Sequence, residues 1–115
     1  MKKEVKFNTE YEVSSKDILL TIVIGNGQPG SSRVKLNGKL IAGRDINGLV
    51  IGKGNEIKGS TLKITTVVND FQINTNRTSV QYLLSGGTES KRYYLEANVD
   101  IDGDSVYYFT NIKFI

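Results

Sequence analysis

The chain contains no cysteine, no histidine and no tryptophan, and it has a single proline, Pro29. Without cysteine there is no disulfide framework, no thiolate metal site and no thiol nucleophile. Without histidine the Ser-His-Asp and Cys-His triads and imidazole metal centres are excluded as well. Carboxylate, lysine, tyrosine and serine chemistry is all that remains for catalysis. The twelve acids fall mostly at strand ends, on polar strand faces or in turns. No two of them are expected to be buried across one cleft, as glycoside hydrolysis requires. The chain is therefore read as non-enzymatic, with no catalytic and no cofactor-binding residues.

Long apolar runs are missing too. No window approaches the ~20 apolar residues of a membrane helix. Met1-Lys2-Lys3 opens like the charged start of a signal peptide, but a polar/apolar alternation follows in place of an apolar segment. As written the chain reads as cytoplasmic, or as secreted or surface-exposed if its N-terminus has been trimmed. The net charge of +3 is small and the basic residues are scattered along the sequence, which argues against a nucleic-acid partner.

What is present points to strands. A chain of 115 residues fits one domain, and one of this mass hides roughly two-thirds of its unfolded surface. Val5, Phe7, Thr9, Tyr11 and Val13 share one parity, and Lys6, Asn8, Glu10 and Glu12 the other. That is a half-buried strand. Residues 17–25 are apolar on both parities. Asn37-Gly38 separates Val34-Lys35-Leu36 from Lys39-Leu40-Ile41 and has the chemistry of a two-residue hairpin loop. Asn26-Gly27 and Asn47-Gly48 flank it at spacings of eleven and ten residues, the rhythm of a meander or sandwich. Residues 60–69, 78–85, 91–100 and 105–114 alternate in the same way. No segment has a helical stripe with a cap. The expected fold is an all-β antiparallel sandwich of about eight or nine short strands, immunoglobulin-like or jelly-roll-like, with a small closed barrel as the alternative.

Several motifs have to be weighed against plainer readings. Gly25-Asn26-Gly27-Gln28-Pro29-Gly30 fits the dinucleotide fingerprint, but an alternating segment follows where that site needs a helix N-terminus. It is read as an inter-strand loop. Asp100, Asp102 and Asp104 gather three carboxylates around Gly103, a candidate calcium site that reads more simply as an Asp-Gly hairpin turn. Asn76-Arg77-Thr78 has the form of a glycosylation sequon and is read as chance. The weakly patterned stretch 69–77 holds a candidate binding loop, Phe71, Ile73 and Arg77, in which Phe71 and Ile73 are expected to plug one end of the sandwich.

The remaining signal is apolar excess on the outward parity. If even residues of the last strand face inward, Tyr107, Phe109 and Ile115 face out, as do Leu83, Tyr94, Leu19 and Val23 on their strands. Leu83, Tyr94, Tyr107 and Phe109 are taken as a candidate interface. The leading expectation is a non-catalytic interaction or structural module, a subunit or accessory domain of a larger assembly, that binds a protein partner or itself through a sheet face or edge strand. A carbohydrate- or other ligand-binding module, with calcium or without, is the second expectation. Single-stranded nucleic-acid binding through Lys91-Arg92-Tyr93-Tyr94 is the third.

Overall fold

Side chains two apart on a pleated strand share a face, and that rule organises the computed structural model, which describes residues 2–71, 76–99 and 104–115. Nine strands form among these residues: β1 (Lys2–Tyr11), β2 (Asp17–Ile24), β3 (Gly30–Leu36), β4 (Lys39–Arg44), β5 (Leu49–Lys53), β6 (Thr61–Asn69), β7 (Arg77–Ser85), β8 (Lys91–Asn98) and β9 (Ser105–Phe114). They assemble into a five-stranded sheet of order β1-β9-β6-β3-β4 and a four-stranded sheet of order β5-β2-β7-β8. The two sheets pack face to face as a β-sandwich and do not close into a barrel. The β3–β4 hairpin lies in one sheet, while β2 and β5, which bracket it in sequence, pair in the other. The β7–β8 hairpin and its brackets β6 and β9 repeat this exchange.

Turn chemistry acts as the sequence predicts at Asn37-Gly38, where both residues have positive φ, 50° and 84°. The Asn37 side chain also reaches β6, accepting the Thr61 N–H at 3.0 Å. Two features depart from expectation. The first and last strands, β1 and β9, run parallel, in register from Lys2 beside Ser105 to Tyr11 beside Phe114. No hairpin links them, so no turn dictates an antiparallel direction. A single helical turn, α1 (Gly54–Ile57), also forms where no helix was expected. It is too short to carry a stripe. Its purpose is to turn Ile57 into the core, where that residue is buried.

One parity of each strand fills the space between the sheets. Leu62, Ile64 and Val68 of β6, Tyr108, Ile112 and Phe114 of β9, Ile18 and Leu20 of β2, and Val80, Tyr82 and Leu84 of β7 are all buried. Each such aliphatic side chain contributes about 1.5–3 kcal/mol. Hydroxyls cross this apolar layer from sheet to sheet. Thr78 on β7 and Tyr108 on β9 meet at 2.6 Å. Thr78 gives its proton to the Ala97 carbonyl at 2.9 Å, so the Tyr108 hydroxyl is the donor of the pair. Tyr82 reaches Thr66 on the opposite sheet at 3.5 Å, and Thr66 meets Ser32 at 2.8 Å. Tyr11 donates to the Glu89 carbonyl at 2.7 Å and accepts the Gly87 N–H at 3.0 Å, tying β1 to the β7–β8 turn. The buried Thr110 hydroxyl faces Tyr82 without reaching hydrogen-bond geometry. Such bonds add only about 1 kcal/mol each, less than one buried isoleucine, but unlike apolar contacts they are directional.

Two outcomes test this account. Gly86 has φ 92°, and a Cβ there would run into the Asp17 carbonyl. Gly86→Ala is expected to cost about 1–3 kcal/mol, read as a lower urea midpoint with unchanged slope. Burial pushes the Tyr11, Tyr82 and Tyr108 phenols above the ordinary value of 10.0, opposed by their hydrogen bonds. A raised folded-state value means that the unfolded chain ionises first. The stabilisation is therefore intact below pH 10 and is lost as pH climbs through the folded-state values. In an alkaline titration the phenolate absorbance of these three tyrosines is expected to appear together with unfolding, not before it.

Candidate functional site

With one parity committed to the core, function is left to the outer faces, the strand edges and the loops. On the four-stranded sheet the outward side chains of neighbouring strands line up by register. Val50 stands beside Leu19, Thr21 beside Leu83, and Val23 one strand away from Tyr94 across Gln81. Val50, Val23 and Tyr94 are 52%, 43% and 51% exposed, which makes them the principal open apolar groups of this face. A hollow of about 530 Å³ lies beside Leu19, Leu83, Lys91 and Arg92. One end of the face carries Asp17 and Lys53, opposite each other in register. The other end carries the Arg77–Glu96 ion pair, at 3.9 Å.

The candidate interface read from the sequence is thus divided. Leu83 and Tyr94 belong to this face and are joined there by Leu19, Val23 and Val50. Tyr107 and Phe109 lie on β9, on the outer side of the opposite sheet, with ring centroids 6.3 Å apart and planes 26° from parallel. Lys91-Arg92-Tyr93-Tyr94 is divided too. Arg92 and Tyr94 face outward, whereas Tyr93 turns inward, packs on Phe7 at 5.6 Å and donates to the Glu10 carbonyl at 3.3 Å. A run of cations and aromatics in sequence therefore does not make one surface.

The loop candidates fare differently. Phe71 is 64% exposed and plugs nothing, contrary to expectation. Ile73 lies outside the described residues. Arg77 opens β7 and accepts a hydrogen bond at its carbonyl from Gln28 Nε2 at 3.3 Å. What anchors the loop's start is a clasp the sequence did not announce. Gln28 Nε2 donates to the buried Asp70 carboxylate at 2.7 Å, and Gln28 Oε1 accepts the Phe71 N–H at 2.9 Å. Gln28 sits in the stretch that imitates a dinucleotide fingerprint, and β3 begins at Gly30, the last glycine of that stretch. Of the candidate calcium ligands, Asp100 and Asp102 lie outside the described residues. Asp104 is described, and its carbonyl accepts the Asp70 N–H at 2.9 Å. Among the described residues no group of three acidic side chains assembles that could hold a metal.

A cleft of about 560 Å³ opens where two strands outrun their neighbours. β5 pairs with β2 only as far as Leu20, and β4 pairs with β3 only from Ser32. Ile22, Ile24, Gln28, Ser32, Arg44 and Asp45 line the gap. Arg44 has φ 73°, a left-handed backbone unusual for a side chain of that size.

Fold and surfaces together define a class: a two-sheet β-sandwich with two open outer faces and a cleft at one edge. No helix among the described residues is long and apolar enough to cross a membrane. Comparisons with protein-family models, curated proteins and solved structures give no match.

Proposed function

We propose that this chain is a non-catalytic interaction module that pairs with a second copy of itself through the outer face of its four-stranded sheet. The observation that carries the reading is the apolar diagonal Val50, Leu19, Leu83 and Tyr94 that crosses all four strands, with Val23 a further diagonal step from Leu83 and Thr21 and Gln81 set between these groups. Its exposed area, on the order of 300 Å², is that of the largest apolar patch on an ordinary soluble monomer, a patch that is often functional. The rim argues for a self-partner. Each end of the face carries one anion and one cation, Asp17 with Lys53 and Glu96 with Arg77, so a second copy meets opposite charge whichever end it presents. Four strands span about 19 Å by about 27 Å, a footprint at the small end of specific interfaces. The association is therefore concentration-dependent.

Sedimentation velocity tests this. The protein is expected to shift from monomer to dimer as its concentration rises, and Leu83→Glu to hold it monomeric without changing its unfolding midpoint, because Leu83 points away from the core. A strict monomer at high concentration discards the reading.

A second reading is favoured by the cleft beside Arg44. A left-handed arginine held at a cavity wall is the kind of local strain that accumulates at ligand sites. Thr21, Gln28, Ser32 and Asn47 add hydroxyl and amide groups suited to a carbohydrate. A glycan array is expected to register binding that Arg44→Ala abolishes. An array without signal removes this reading and leaves the first intact.

A further inference from the structure

The five-stranded sheet presents the opposite chemistry on its outer side. In one row across the strands stand Lys6, Phe109, Thr65 and Arg33, and in the next Asn8, Asn111, Lys63 and Lys35. Residues distant in sequence thus place four cations about the Phe109 end of the Tyr107–Phe109 ring pair, while Glu4 stands beside Tyr107. Lys6 flanks Phe109 on the β1 side, and Arg33, Lys35 and Lys63 on the side of β6 and β3. None of the four makes an ion pair or a side-chain hydrogen bond among the described residues. Lys35 and Lys63 are directly opposite each other on adjacent strands, an arrangement of like charges that destabilises a sheet. A bound anion would relieve it. Two hollows of about 300 Å³ adjoin here, one against Lys6, Asn8, Phe109 and Asn111, the other against Lys35 and Asn37. Lys63 borders both.

We propose that this face binds single-stranded nucleic acid, with bases stacked on Phe109 and Tyr107 and phosphates held by Arg33, Lys35 and Lys63. Near-parallel, partly exposed rings with unpaired cations about Phe109 are the two components such binding needs, a platform for flat bases and a positive track for the backbone. An open sheet that stacks bases on the aromatics of its strands is an established way of holding unpaired RNA. A double helix cannot bring its base faces onto the rings, and an acidic polysaccharide supplies the charge without the flat bases. The face lies on the opposite side of the sandwich from the self-association surface, so the two proposals stand or fall separately.

Fluorescence anisotropy with a labelled oligothymidylate and a labelled oligouridylate of a dozen nucleotides tests it, with the duplex form and heparin as competitors. Binding is expected to fall with salt at a log–log slope of about −2 to −3, as four cations on a single strand predict. Phe109→Ala is expected to weaken binding about tenfold through lost stacking. Lys63→Gln is expected to reduce the salt slope by about 0.7. Lys58→Gln removes the same charge from the exposed end of α1 and is expected to change neither. The thermal midpoint of each variant shows that the fold is retained. No binding to either oligomer at low salt overturns the proposal. So does binding that heparin or duplex matches in affinity and that Phe109→Ala leaves unchanged, which marks a general polyanion surface.

Discussion

The relative placement of the two sheets depends on tyrosine hydroxyls that cross the core. Apolar side chains drive the sheets together but set no register between them, because burial has no direction. Tyr108 to Thr78, Tyr82 to Thr66 and Tyr11 to the β7–β8 turn each join a strand of one sheet to an element of the other. A buried hydroxyl left without its partner forfeits more than the bond contributes, so sliding one sheet against the other is penalised at three separate points. The outer faces inherit their geometry from this. The row that sets Lys6 beside Phe109 and the row that sets Val50 beside Leu19 keep a fixed relation only while the sheets do.

A sandwich of two layers has a further consequence for function. Each strand spends one parity on the core and keeps the other for the outside. In this chain the two outer parities have diverged, one sheet turning leucine, valine and tyrosine outward, the other lysine, arginine and a pair of rings. Each carries open hollows, and neither is an enclosed pocket. Both are flat arrays whose spacing is fixed by the strand separation, suited to flat or extended partners more than to small enclosed ones.

Much of this was legible in the sequence because period two is a local property. The inward positions of β6, β7, β8 and β9, the Asn37-Gly38 turn and the absence of a helix after Gly30 follow from neighbours along the chain. The assignment of strands to sheets does not, since it is decided by pairings between residues tens of positions apart. Leu83 and Phe109 were both correctly outward, yet they stand on opposite sides of the molecule. Lys6, Arg33, Lys35 and Lys63 look scattered in sequence and gather only through the β1-β9-β6-β3 order. Gln28 and Asp70 gave no signal, since a polar residue in a loop reads as solvated unless its buried partner is known. Phe71 misled for the reverse reason: an apolar residue in a loop suggests a plug, and the Gln28–Asp70 clasp fixes the backbone beside it without calling on the ring.

The parallel pairing of β1 with β9 also bears on how the chain transmits force. Lys2 enters beside Ser105 and Phe114 leaves beside Tyr11, so the two chain ends emerge from opposite tips of one ladder, about 30 Å apart at the rise of a strand. Tension applied through those ends does not peel the strands apart one bond at a time. It loads the whole ladder in shear, and all of its hydrogen bonds must yield together before the sandwich opens.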